Sequence, residues 1–268
     1  IEDTIDHTMY SGVIQGGANG KFTKQGSSVL TLAGVNTYSG GTIINEGMLA
    51  LLGSGTLHPA GDVTVNAGVF NISDIAAECQ TIGNLSGAGG IVNLGRKNLI
   101  EGTAKASTYA GVIQGSGSLT KQNRGILTLT KDNTYSGGTT INGGTLALSD
   151  AGALYSGGNV TINEGTFDIS DITAESQTIG DLTGAGFVNL GSKTLIKGTD
   201  NHTTYHGVIQ AGDDGVFIKQ GRGTLKLTGS SVHTGRTLVA EGILHVSGEL
   251  ASTVSVSANT TLMGNGTV

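Results

Sequence analysis

The sequence predicts an all-β solenoid, and three observations carry that prediction. The first is composition: 47 of 268 residues are Gly, only one is Pro, and 13% are charged. Disorder would require few β-branched residues and a high charge density, and the chain has neither. The second is a long repeat: "YSGVIQ" at Tyr10, "YAGVIQ" at Tyr109 and "YHGVIQ" at Tyr205 stand 99 and 96 residues apart. The third is a shorter repeat inside it: Asn45-Glu46-Gly47 returns 21 residues later as Asn66-Ala67-Gly68, and Asn142-Gly143-Gly144 as Asn163-Glu164-Gly165. A strand–corner–strand unit of about 20 residues is a solenoid period. The units are rich in Thr, Val, Ile and Gly, which selects β-coils over helical ones, and propeller blades need about twice this length.

Along the chain, the charged opening "IEDTID" suits a cap on the first strand edge or a solvated terminus. Runs such as Leu127-Thr128-Leu129-Thr130 read as strands. In the short repeat the middle residue varies while Gly47, Gly68, Gly144, Gly165 and Gly242 stay fixed, which predicts structural corners with positive φ. Ile141, Leu146 and Leu148 can share one face only if the Gly144 corner contributes an extra, bulged residue. Asn45 over Asn66 and Asn142 over Asn163 are candidate amide ladders. "ISDI" reads as a strand end followed by an Asp-led turn. At roughly 20–25 residues per coil, 268 residues make about 11–13 coils, a rod of roughly 50–60 Å. The expected organisation is one segment, 1–268, with repeats near 10–108, 109–204 and a partial third at 205–268.

A net charge of −6 and a pI near 5.4 leave no Lys/Arg cluster for a phosphate backbone, so nucleic acid is not an expected partner. No apolar stretch approaches the ~20 residues that span a bilayer, so membrane insertion by this segment is not expected. The acidic opening is no signal peptide; a signal was removed or the chain starts internally. Cys79 falls where the next copy has Ser176, which marks a small packed side chain rather than a reactive thiol.

The chain lacks Gly-x-Ser-x-Gly, His-Glu-x-x-His and Cys-x-x-Cys, and "GGANGKFT" misses the first Gly and the Ser/Thr of a phosphate loop. His202 and His206 on a strand would stand roughly 13 Å apart, too far for one metal ion. Asp74 and Glu78 recur as Asp171 and Glu175, and duplication favours a structural role over catalysis. No catalytic residue, metal site or cofactor is therefore expected. Residues that break the repeat are the ones free to bind a partner: His206, Asp213, Asp214, His233, Arg236 and His245 in the third copy, and His58-Pro59 in the first. Drift in a tolerant solenoid explains the same departures.

The blocks Gly16–Leu49, Gly115–Leu146 and Gly212–Leu244 share a "FTK", "LTK" or "FIK" strand, a Gly-containing turn, a "TLTL"-like strand, "YSGGT" or its eroded form, and a Gly corner. This pattern resembles the passenger-associated transport repeat of bacterial autotransporters. The resemblance implies a right-handed parallel β-helix that crosses a Gram-negative outer membrane and is secreted or displayed at the cell surface. It also implies a C-terminal translocator barrel in the full-length precursor, whose alternating, aromatic-girdled strands this chain lacks. The expected partner is a host cell-surface receptor or an extracellular matrix protein, engaged by a monomer acting as adhesin or released ligand. The alternatives are a passive stalk that aids export and, further off, a β-helical polysaccharide-degrading enzyme.

Overall fold

A computed structural model describes residues 6–211 and 214–268. Every regular element among them is a β-strand. The chain divides into two compact units, Ile1–Gly137 and Gly138–Val268, and each is a parallel β-solenoid. No helix among the described residues is long and apolar enough to cross a membrane.

In the first unit, one face stacks His7–Tyr10, Val29–Leu32, Met48–Gly53, Val69–Ile75, Ile91–Asn93 and Val112–Gln114 in parallel, a six-stranded ladder with one strand per turn. A second face stacks Cys79–Ile82, Asn98–Glu101 and Ser118–Lys121. The third begins with Phe22–Lys24, Thr42–Ile44, Val63–Val65 and Leu85–Ser86. It continues through the Gly87–Tyr109 bridge to Ala106–Tyr109 and Ile126–Leu129.

The second unit repeats the plan. One ladder runs Thr139–Ile141, Val160–Ile162, Leu182–Gly184, Thr203–Tyr205, Thr224–Leu227, Ile243–Val246, Thr261–Gly264. The next begins Thr145–Asp150, Thr166–Ile172, Phe187–Asn189, Val208–Gln210. The last runs Ser176–Ile179, Thr194–Gly198, Val216–Gln220, Arg236–Val239, Thr253–Val256.

Strand alternation puts every second side chain inside. Register then aligns those side chains from coil to coil. Leu49, Phe70, Val92 and Ile113 form one continuous stack in the first unit, and Leu146, Phe167, Val188 and Ile209 its counterpart in the second, all fully buried. Burying each such side chain contributes about 1.5–3 kcal/mol. An outer rung of amides accompanies them: Asn66 Nδ2 donates to Asn45 Oδ1 (2.9 Å) and Asn163 Nδ2 to Asn142 Oδ1 (2.8 Å).

Gly47, Gly68, Gly144, Gly165 and Gly242 have φ between +64° and +95°. They lie at turns between faces rather than at bulges inside one strand. The register shifts fall later, between Ala50 and Leu52 and between Ala147 and Ser149, where the paired strand carries an extra residue. That displacement corrects the expectation at "ISDI". Asp74 and Asp171 sit exposed within the strands Val69–Ile75 and Thr166–Ile172, which continue to the buried Ile75 and Ile172. The Tyr-x-Gly of the long repeat also has a packing cause. Tyr109 and Tyr205 are fully buried, and a Cβ on Gly111 would strike the Tyr109 hydroxyl and one on Gly207 the hydroxyl end of the Tyr205 ring.

Candidate functional site

The interior holds polar side chains that close the coils, and the surface is what they leave over. Asn36 is buried in the loop before Thr42–Ile44. Its Oδ1 accepts from the Ile14 N–H (3.0 Å) while its Nδ2 donates to the carbonyls of Gly34 (2.9 Å) and Thr56 (3.0 Å), which ties three coils together. Asn133 accepts from the Ile113 N–H (2.9 Å) in the same way, and in the third copy the shorter Ser231 Oγ accepts from the Ile209 N–H (3.3 Å). Gln80 points inward and bonds both backbone groups of Leu57, at 3.2 Å each; Gln177 does the same to Leu154 at 3.1 Å.

Charges are buried too. Glu101 and Lys121 stand opposite each other on neighbouring strands, Nζ to Oε2 3.6 Å, with side chains 1% and 0% exposed. Burial pushes the Glu101 carboxyl up to about 7 despite the ammonium beside it. Burial likewise lowers Lys121, against the pull of Glu101. The second copy has Lys197 in place of Glu101 and Asp181 in place of Asn84, and the ion pair moves with them, Lys197 Nζ to Asp181 Oδ1 3.4 Å. Burial works to raise Asp181, but hydrogen bonds from Thr199 and Asn201 and the charge of Lys197 together hold it below the ordinary carboxylate range. Both pairs are buried within the coils.

The residues that break the repeat are not gathered at one place. His233 is fully buried, which overturns its reading as a surface contact. Its Nε2 pairs with Thr237 Oγ1 (2.9 Å), just as Tyr38 Oη pairs with Thr42 Oγ1 (2.8 Å) in the first copy. His233 thus stands in for a core tyrosine, and burial lowers its imidazole pKa. Asp214 and Arg236 are exposed at one corner of the second unit, since Val216–Gln220 and Arg236–Val239 are neighbours in register. His206 is exposed at a different corner, with Nδ1 2.8 Å from Thr228 Oγ1. His202 Nδ1 accepts from the Thr224 N–H (3.2 Å). Asp213 lies outside the described residues. Among the described residues, no group of three or more His, Cys, Asp or Glu could hold a metal ion. Cys79 is half-buried at the head of its strand, opposite Asn98.

The recess lined by Lys21, Gly40, Gly41, Thr42, Ile43, Asp62 and Thr64 has a volume of about 150 Å³, too small for a drug-sized ligand. The outward rows are more extensive. On the first unit's six-stranded face Val29, Met48, Val69, Ile91 and Val112 align as a half-exposed apolar row. Two residues along each strand run Thr31, Ala50, Asn71, Asn93 and Gln114, with Asn93 Nδ2 bonded to Asn71 Oδ1 (3.1 Å). The second unit carries Thr145, Thr166, Phe187 and Val208 beside Ala147, Asp168, Asn189 and Gln210. Such rows make a flat, ridged face of apolar and amide strips, suited to a broad contact.

The sequence model of the passenger-associated-transport-repeat family matches residues 22–51, 119–148 and 217–246. A Brucella suis biovar 1 protein named adhesin BmaC autotransporter is 30% identical over 221 residues, 80% of this chain and 6% of its own length. A probable autotransporter of Escherichia coli, YfaL, is 26% identical over 276 residues, 90% of this chain and 21% of its own. The chain therefore spans less than a quarter of either relative. No solved structure matches.

Proposed function

We infer, for a chain that is a β-solenoid segment of an autotransporter passenger, secreted through or displayed on a Gram-negative outer membrane, an adhesin-like role in contact with host cells or matrix. The observation that carries this reading is the division of labour in each coil. Buried Asn, Gln, Lys and Glu side chains are committed to backbone groups or to one another. What remains for a partner is the ridged outer face and the corners, where repeat proteins place recognition. The likeness to a protein named an adhesin supports the same conclusion. We read the segment as non-enzymatic and monomeric, and its precursor as carrying a C-terminal translocator. Asp74 and Asp171 occupy the same place on both copies and each serves its own strand.

The test is binding of the soluble 268-residue chain to host cells and matrix proteins, with cross-linking to capture the partner. Saturable binding, weakened by Ile91→Lys or Val69→Lys on the outward row, is the expected result. Absence of saturable binding to any cell or matrix component would overturn it. That outcome would favour a passive stalk that aids export.

A further inference from the structure

One lysine recurs at an inward position of every transport repeat, two residues after Phe22, Leu119 or Phe217. Lys24 is 4% exposed, and Lys121 and Lys219 are fully buried. Lys24 Nζ donates to the carbonyls of Gln25 (2.9 Å), Gly26 (2.6 Å) and Glu46 (3.3 Å). Lys219 Nζ donates to Gln220 (2.8 Å), Gly221 (2.5 Å) and Glu241 (3.2 Å), the same three positions. Lys121 Nζ donates to Gln122 and Asn123, and the Glu101 carboxylate stands beside it as a further partner. The carbonyls converge because the residue two after the lysine is left-handed: Gly26 at φ +74°, Asn123 at +58°, Gly221 at +76°.

For Lys24 and Lys219 the cage has three acceptors for the three N–H bonds of an ammonium. Among the described residues no carboxylate lies within 4.0 Å of either. Burial, helped by the like charge of Lys197, pushes Lys219 down to about 8. The cage therefore demands donors more than it demands charge. The glycine corner of the following coil closes over it: a Cβ on Gly47 would sit on the Gly26 carbonyl oxygen and beside Lys24 Nζ, and one on Gly242 on the Gly221 carbonyl oxygen. Emptied of its lysine, the corner would bury carbonyls with nothing to satisfy them.

We propose that this corner is a binding site for a primary amine, that the repeat's own lysine is its tethered ligand, and that a chain with the lysine cut back binds a free primary alkylamine there. Lys219→Ala removes three carbons and the amine, so n-propylammonium is the matching probe. The experiment follows urea unfolding of the full chain carrying Lys219→Ala, and separately Lys24→Ala, with propylammonium, methylammonium or tetramethylammonium chloride at equal ionic strength. The expected result is a lowered midpoint that recovers saturably with propylammonium, less with methylammonium, and not with tetramethylammonium, which has no N–H. The unsubstituted chain should show no such selectivity. If a variant does not fold in plain buffer, refolding in propylammonium is scored instead, and failure to refold counts against the proposal. Equal recovery in tetramethylammonium overturns it, as does a Lys219→Met chain as stable as the unsubstituted one. Lys219→Met should lose stability without rescue, because its stem fills the site.

Discussion

Replacing Gln80 by Leu keeps the side-chain volume and removes its hydrogen bonds. In the folded chain Gln80 Oε1 accepts from the Leu57 N–H, and Nε2 donates to the carbonyls of Leu57 and Thr81 (2.6 Å), with Gln80 2% and Leu57 4% exposed. The substitution leaves an N–H and a C=O of Leu57 buried without these partners. Each unsatisfied group costs about 1–3 kcal/mol, so the expected loss for the two is about 2–6 kcal/mol. At about 1.4 kcal/mol per tenfold, the opening equilibrium rises by a factor between roughly 30 and roughly 20,000. Two measurements read it: the urea midpoint, and native-state hydrogen exchange at the Leu57 amide, which should lose protection first. Gln177→Leu should do the same at Leu154 in the second copy. A Gln80→Leu chain within about 0.5 kcal/mol of the parent, with Leu57 still protected, would refute the reasoning.

Glu101 has a folded pKa raised from 4.5 to about 7, so between those values the folded chain binds more protons than the unfolded one and loses stability as pH rises. Glu101→Gln should remove that slope, on the order of 1–3 kcal/mol, in urea midpoints taken across the window. His233 behaves oppositely: its folded pKa is lowered, so stability falls as pH drops below about 6.5, and His233→Tyr should abolish the loss by restoring the tyrosine found at Tyr38. Gly242→Ala should cost about 1–2 kcal/mol for its left-handed backbone and more for the carbonyls of Gly221 and Gly223 beneath it. Gly198→Ala, whose new Cβ meets nothing nearer than 3.9 Å, is the control and should be near neutral in the same denaturation assay.

The solenoid was legible because its period is written in backbone requirements. A glycine that must be left-handed at the same corner of each copy cannot drift, and in the first two copies the asparagine two residues before it returns 21 residues on, where the two amides bond across one coil. Copies differ in length only at corners such as Gly16–Lys21, where two residues more than in the next copy change no register. The interior polar residues were harder to read. Lys24, Gln80 and Glu101 belong to residue types usually solvated, and nothing local marks them as buried. The signal was present in parity: Lys121 and Lys219 follow the buried Leu119 and Phe217 by two, which places them on the inner face of a strand. His233 misled for the opposite reason. A histidine where copies have tyrosine looks like novelty, yet it keeps the same hydroxyl partner in the core. No binding face could be deduced from departures alone, because departures at the surface and substitutions in the core look alike in a repeat.

The amide rungs have a direction. Asn66 donates to Asn45, Asn93 to Asn71 and Asn163 to Asn142, always from the later coil to the earlier. The lower member only has to accept, and at one rung it is already an aspartate, with Asn189 donating to Asp168 (3.1 Å). Asn142 is exposed and is the accepting member of its rung. An Asn142→Asp substitution would still offer Asn163 an acceptor oxygen there. Only the donating end of a rung must therefore stay an amide; the accepting end is served equally by an amide or a carboxylate oxygen.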